Sequence, residues 1–177
     1  MNHCTTSPEP VEEIQGLWLA GRREPVDLTM KELSSDCDNP AYRRCVAFIR
    51  DAGLPTEDLP GAGTRLFGFW SGRILTGTAA LEPYCDGVLL RSVAVREGER
   101  GKGLGSEIVT KTLAVAESDY KKDIYILTEK AEGFFARYGF RTVSRDQVPP
   151  GVSASGEFAG LCPLTASAMV RVSARSG

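Results

Sequence analysis

From Val93 to Gly105 the chain reads Val-Ala-Val-Arg-Glu-Gly-Glu-Arg-Gly-Lys-Gly-Leu-Gly. An apolar strand end runs into a basic, glycine-rich turn, and the segment from Ser106 to about Ser118 reads as a helix. Glycines let a backbone bend tightly and bring its N–H groups close to a ligand. A helix N-terminus adds unpaired N–H donors and partial positive charge. A strand, such a turn and a helix in that order make a site for phosphate groups.

Three phosphate-binding patterns compete for this segment. A P-loop needs Gly, four residues, then Gly-Lys-Ser/Thr. Gly98 and Gly103 have the glycine spacing, but Leu104-Gly105 stand where Lys-Ser/Thr should be. The dinucleotide pattern Gly-x-Gly-x-x-Gly fails because Ser106 stands where its third glycine should be. What fits is Arg-x-x-Gly-x-Gly, from Arg100 to Gly105. It resembles the pyrophosphate loop of the GNAT superfamily, the acetyl-CoA-dependent N-acetyltransferases. A solvated glycine turn before a surface helix is the alternative.

The chain has 177 residues, which suits one domain with a sizeable core. A net charge of −2 gives no bulk attraction to nucleic acid or anionic membrane. No apolar run is long enough for a transmembrane helix, and the first eight residues lack the basic start and apolar stretch of a signal peptide. The five cysteines, Cys4, Cys37, Cys45, Cys85 and Cys162, show no metal-ligand spacing, so reduced thiols in a cytoplasmic protein are expected. No metal is expected. His3 is the single histidine, which makes a Ser-His or Cys-His nucleophile a poor fit. A general base must then be a carboxylate, a tyrosine or a held water.

Residues 1–24 are expected to be an appendage to a domain spanning 25–177. Val11, Ile14, Leu17 and Trp18 recur there at helical spacing, for docking on the domain or for a dimer contact. A strand is expected over 26–33, then a helix capped by Asn39, with Pro40 in its first turn, that ends near Asp51 before Gly53. Strands over 65–70 and 73–82, joined at Ser71-Gly72, and a third over 88–95 after Asp86-Gly87, predict an antiparallel meander. The helix after Gly105 turns Ile108, Val109, Leu113, Val115 and Ala116 inward. Then come a strand over 124–128, a helix over 130–138, a strand over 140–143, a loop or short helix over 149–160 and a last strand over 168–172. This order predicts an α/β (α+β) domain, a central mixed sheet of about six or seven strands with helices on both faces.

The GNAT resemblance covers about residues 26–172. Its second mark is the run from Thr128 to Phe140, which resembles the fourth helix of GNAT folds with its ending aromatic-x-x-x-Gly-Phe. The stretches 52–59, 89–95, 131–137 and 157–163 resemble the N-acetyltransferases of bacterial arsenic-resistance operons. That subgroup is similar to the acetyltransferase domain of bacterial N-acetylglutamate synthase. The resemblance implies acetyl-CoA as donor and a small amine as acceptor, an amino acid or an analogue of one. It implies that backbone groups of Val93, Ala94 and Val95 pair with the pantetheine, with an N–H there facing the acetyl carbonyl as an oxyanion donor. It implies that Arg100, Gly101, Lys102, Gly103, Leu104, Gly105 and Ser106 wrap the pyrophosphate. Thr128 stands where many members carry an asparagine beside the pantetheine.

Many GNAT enzymes protonate the departing thiolate with a tyrosine where this chain has Phe135. Tyr138, three residues on, reads as a core aromatic. Thiolates leave readily, because a thiol has a reference pKa of about 8.5, so the missing hydroxyl need not abolish chemistry. Glu82, at a strand end, is the first candidate base and Glu129 the second; each could equally be a solvated carboxylate. Arg91 could pair with a substrate carboxylate or form an internal salt bridge. Arg91 and Ser92 alternate along their strand, so at most one is expected to face the cleft. Cys162 could lie near the acceptor or be a small buried hydrophobe. Competing functions are a peptide or protein N-acetyltransferase, for which the loops 54–64 and 149–160 look too enclosing, and a non-catalytic acetyl-CoA- or arsenical-binding protein.

Overall fold

Local signals set the first helix. Asn39 lies in extended backbone, and its side chain accepts the Ala41 N–H at 2.9 Å. Pro40 then opens α1 (Pro40–Asp51), and the chain leaves it through Gly53 at φ +76°. The computed structural model describes residues 28–174, apart from 35, 37, 60 and 62. The expected appendage over 1–24 lies outside the described residues.

The strands are β1 (Thr29–Leu33), β2 (Arg65–Ser71), β3 (Ile74–Pro83), β4 (Val88–Val95), β5 (Ile124–Thr128), β6 (Arg141–Val143) and β7 (Ser167–Arg171). The further helices are α2 (Leu104–Asp119), α3 (Glu132–Ala136) and α4 (Pro150–Ser153). The meander β2–β3–β4 forms as expected, with the first turn one residue later, at Gly72-Arg73. The helix expected over 130–138 is only the short α3, and residues 137–139 form a turn in which Gly139 takes φ +81°.

All seven strands form one mixed sheet in the order β1-β2-β3-β4-β5-β7-β6. Neighbours are antiparallel except β4 and β5. α2 and α3 cover one face, burying Ile108, Val109, Leu113 and Phe135 against Phe67, Phe69, Leu81 and Leu90. Val115, expected inward, is only partly buried. On the other face α1 sets Tyr42, Cys45 and Ile49 against Leu66, Trp70 and Ala80. Farther along that face α4 sets Val152 against Leu89, Tyr125 and Val170. Helices therefore lie on both faces.

Two irregularities in β4 position the site. β4 pairs with β5 only at Val88–Ile124 and Leu89–Tyr125, so beyond Leu89 the two strands part. On its other side β4 bulges. Thr78 partners Ala94 and Ala80 partners Arg91, so Ala79 stands opposite both Ser92 and Val93. Ser92 takes φ +54°, and the buried Thr78 hydroxyl donates to its carbonyl at 3.0 Å.

α2 crosses β3 closely at Gly77. A Cβ there would lie 2.3 Å from Ile108 Cδ1 and 2.7 Å from the Ala94 carbonyl oxygen. Gly77→Val is therefore expected to cost about 1–3 kcal/mol through overpacking. For a domain of this size that is a fall in Tm of roughly 2–12 °C. Gly98→Val meets nothing within 4 Å and is the matched control. Equal melting temperatures for the two variants would overturn this account of the α2–β3 contact.

Candidate active site

Where β4 and β5 part, two cavities of about 710 and 660 Å³ open side by side. Ala52, Leu54, Val93, Ala131 and Phe135 border both, so the two meet at an apolar junction.

The smaller cavity is walled by the glycine loop. Val93, Ala94, Val95, Arg100, Gly101, Gly103, Gly105 and Ser106 all line it. Gly103 caps α2 at φ +91°, a conformation open to glycine at little cost, and Gly101 has φ +77°. The first N–H groups of α2 lie beside this cavity without intrahelical partners. Arg100 folds back so that its Nε donates to the Val95 carbonyl at 3.3 Å. Two residues expected in this wall lie elsewhere. The Leu104 side chain is buried in the core beneath α2, and Lys102 points outward and pairs with Glu99 at 3.2 Å. Any part they take in the loop is through their backbone. Arg137 and Phe134, not expected from sequence, complete the wall, with the Arg137 guanidinium 5.2 Å over the Phe134 ring.

The larger cavity lies on the other side of Phe135. It is lined by Ser92, Thr128, Glu129, Glu157 and Cys162, and by Glu57 and Lys130 near its mouth. Thr128 is turned partly inward along the chain, its hydroxyl accepting the Ala131 N–H at 3.1 Å. The Ser92 hydroxyl is buried and has no protein hydrogen-bond partner, an uncommon state for a buried polar atom.

Arg91 departs from the expected role of binding a substrate carboxylate. It is 2% exposed, and its guanidinium is already engaged by three carboxylates. Asp58 accepts two hydrogen bonds, at 2.5 and 2.6 Å, and Glu82 accepts one at 3.0 Å. Glu157 Oε1 lies 3.2 Å from Arg91 Nε, within ion-pair range but misaligned, so Nε has no hydrogen-bond partner. The internal salt bridge is the alternative the structure realises.

Glu82, the first candidate base, is tied into this cluster. It accepts from Arg91 and from the Tyr84 hydroxyl at 2.5 Å, and it borders neither cavity. Glu129, the second candidate, does border the larger cavity and is exposed. Sequence reasoning missed Glu157 and Asp58. Both stand in stretches that carried the resemblance, 52–59 and 157–163, and in or beside the loops expected to enclose the acceptor; that was the available signal.

Glu157 opens a wide helical turn, Glu157–Leu161, in which the Cys162 N–H donates to the Glu157 carbonyl at 3.1 Å. Burial pushes its carboxyl up to about 7. Arg91 opposes that rise, Asp58 and Glu82 add to it, and the Cys162 thiol offers a lowering hydrogen bond. Burial also raises Asp58, but the aligned hydrogen bonds and charge of Arg91 outweigh it, so the Asp58 carboxyl ends below its usual range. Cys162, pushed up to about 11 by burial and by Glu157, stays a thiol at neutral pH. It stands in the cavity wall rather than in the core. Among the described residues no cluster of His, Cys, Asp and Glu could hold a metal ion, and no helix is long and apolar enough to cross a membrane.

Residues 63–142 match the family model for the acetyltransferase (GNAT) domain. An uncharacterised N-acetyltransferase of Chlorobaculum tepidum is 35% identical over 60 residues, which are 34% of this chain and 38% of that protein. N-acetylglutamate synthase from Neisseria gonorrhoeae, crystallised with coenzyme A and L-arginine, superposes with a TM-score of 0.65 at 17% identity. That superposition covers 84% of this chain and 34% of the synthase chain. A Mycobacterium tuberculosis protein crystallised with CoA gives a TM-score of 0.65 at 21% identity, covering 81% of this chain and 98% of that one. The chain thus spans little more than a third of the curated relative and of the synthase. Residues 63–142 thus match a GNAT acetyltransferase domain, and the fold of the described residues is the one these acetyltransferase structures share.

Proposed function

We propose that this protein transfers the acetyl group of acetyl-CoA to the amino group of a small molecule, an amino acid or an amino-acid analogue, by direct transfer in a ternary complex. The observation that carries this is the free edge of β4 at Val93–Val95, on which a glycine-walled, basic cavity and a carboxylate-lined one meet. Acetyl-CoA binds along the first. Backbone groups of Val93, Ala94 and Val95 that β5 leaves unpaired hydrogen-bond the pantetheine amides. The loop Arg100–Ser106 and the start of α2 hold the pyrophosphate, and Arg137 adds a further cation. The N–H of Val93 stabilises the oxyanion of the acetyl carbonyl.

The acceptor enters from the larger cavity, where Ser92 offers an unpartnered hydroxyl. With Arg91 committed internally, Lys130 is the cation among the described lining residues left to meet an acceptor carboxylate. The amine lone pair attacks the thioester carbon, the C–N bond forms, and the C–S bond breaks with its electrons going to sulfur. Phe135 gives the sulfur a buried apolar seat without a proton donor. Tyr138 packs on Phe134 and borders neither cavity. The free thiols of Cys45, Cys85 and Cys162 favour a cytoplasmic setting.

The test is release of CoA thiol from acetyl-CoA with a panel of amino acids, their decarboxylated amines and a lysine peptide. Turnover of amino acids well above that of the amines is expected. Faster turnover of the peptide would shift the acceptor class, and no amine-dependent release with any acceptor would leave a binding protein rather than an enzyme.

Binding is tested separately. Gly105 sits in the first turn of α2 with the Phe134 ring 3.4 Å from a Cβ built on it. Gly105→Val should fill the narrow cavity and weaken acetyl-CoA binding by at least tenfold in calorimetry, with the melting temperature little changed. Arg100→Ala should weaken it less, by the few-fold expected of an exposed charge contact. Unchanged affinity in a folded Gly105→Val protein argues against this cavity as the donor site.

Phe135→Tyr probes the leaving group. Because a thiolate departs without help, the added hydroxyl should raise kcat by less than about tenfold, or ~1.4 kcal/mol of barrier. A gain of a hundredfold or more would mean that the native site lacks an acid it needs.

A further inference from the structure

We infer that Glu157 is the group that takes the proton from the acceptor ammonium, and that Arg91, Asp58 and Glu82 are positioning residues that hold it at the wall of the larger cavity. This rests on the acetyl-transfer reading above. An amine acceptor is mostly an ammonium at neutral pH and has no lone pair for attack until it loses a proton. Among the described residues there is no histidine and no tyrosine lines the larger cavity, so the side chains there that can receive that proton are carboxylates.

Geometry separates Glu157 from Glu82 and Glu129, the two candidates that the sequence offered. Glu82 is spent on Arg91 and Tyr84, away from both cavities. Glu129 borders the larger cavity but is exposed to solvent, as is Glu57. Glu157 combines the two required properties. It borders the larger cavity, and it is 5% exposed, so its ionised form is poorly hydrated. Its nearest cation, Arg91 Nε, is misaligned and leaves that form incompletely neutralised.

The charged and titratable groups facing it come from every side. They are Arg91 from β4, Glu82 from β3, Asp58 from the loop after α1, Cys162 from its own turn, and Glu129, through Cys162, from beyond β5. Three of these are carboxylates and one is an arginine, so added positive charge near Glu157 is favoured. Burial, with Asp58 and Glu82 and against the pull of Arg91, holds its titration near neutrality, about 7, close to where a base is most useful.

The step balances. The Glu157 carboxylate takes one proton from R–NH₃⁺ and becomes a carboxylic acid. The neutral amine attacks the acetyl carbon, and collapse of the tetrahedral adduct expels the thiolate. The remaining surplus proton on nitrogen passes to that thiolate, giving the amide and CoA thiol, and Glu157 returns its proton to solvent.

The test is the pH dependence of kcat/KM for the purified protein with acetyl-CoA and the best amine of the panel. The wild type should show a limb rising through about pH 7, as the free base ionises. Glu157→Gln should lose that limb and fall by roughly 100- to 10,000-fold below pH 8. Its affinity for acetyl-CoA should be unchanged. Asp58→Asn removes a neighbouring negative charge that raises Glu157, so its limb should move to lower pH, a shift that simple loss of structure would not produce. Thermal melting adds a readout independent of turnover. The folded state binds the Glu157 proton up to about pH 7 whereas the unfolded chain releases it near 4.5, so this group's contribution to stability falls as pH rises between those values. Glu157→Gln should therefore gain in Tm relative to wild type at pH 8 against pH 5. A limb near pH 7 that persists in Glu157→Gln, or a rate within threefold of wild type, overturns the assignment. Absence of amine-dependent CoA release from the wild type overturns the reading beneath it instead, and the melting comparison still reports whether Glu157 titrates as argued.

Discussion

The Arg91 guanidinium is the fixed point around which the larger cavity of this molecule is assembled. It emerges from β4 into the gap between the α1 and α4 clusters, where neither helix supplies apolar cover. Removing a guanidinium from water is costly, and the cost is offset only where aligned carboxylates replace the lost hydration. Asp58 and Glu82 supply three aligned hydrogen bonds. Glu157 supplies charge without alignment. Two of the three carboxylates belong to loops, one after α1 and one after α4, so a single buried cation fastens both walls of the larger cavity to the sheet. Truncating Arg91 would leave three carboxylates facing one another.

One residue further along, the same strand changes character. The bulge at Ser92–Val93 re-aims the side chains after Arg91, and of the two neighbours Ser92, not Arg91, lines the larger cavity. The bulge is held by the Thr78 hydroxyl and by a residue in the left-handed region that is not glycine, an arrangement that costs on the order of 1 kcal/mol or more. With β5 diverging at the same level, a stretch of strand backbone inside the sheet faces a cleft rather than a neighbour. Unpaired backbone of that kind is tolerated where a ligand or water completes it. The glycine loop and the start of α2 follow directly, so one irregular strand organises both cavities.

Short-range signals were legible in the sequence because they are settled by a few adjacent atoms. Asn39 and Pro40 mark the start of α1, Asp86-Gly87 marks a hairpin, and Arg100–Gly105 marks a loop poised on a helix. The side on which β7 enters, between β5 and β6, depends on pairing over long chain distances and leaves no local trace. Arg91 shows the same limit in the site. Its alternation in β4 was visible, but Asp58 lies 33 residues away along the chain. Glu157 sits in a turn whose wide hydrogen bonding no periodicity reveals. Glu82 looked accessible because a strand end is usually solvated, and only the fold brings Tyr84 and Arg91 onto it. The helix read over 130–138 shrinks to α3, with 137–139 in a turn before Phe140 packs edge-on against Phe135, a contact that no local pattern reveals.

The two cavities carry opposite charge, and this bears on how the proposed reaction is ordered in space. Arg100 and Arg137 line one; Glu57, Glu129 and Glu157 line the other with a lone Lys130. A polyanionic donor and a cationic acceptor would each be drawn to the matching side and kept from the wrong one. Between them lies a junction of Ala52, Leu54, Val93, Ala131 and Phe135, with no charged side chain. Charge developing there in the proposed reaction would be little screened, so the backbone N–H at the bulge would act on an oxyanion more strongly than in water. The same low polarity that strengthens this donor also disfavours a bare ammonium at the reacting carbon, so the proton must be lost on the acidic side before the amine crosses to the junction. The position of Glu157, at the wall of the larger cavity and outside the apolar junction, meets that requirement.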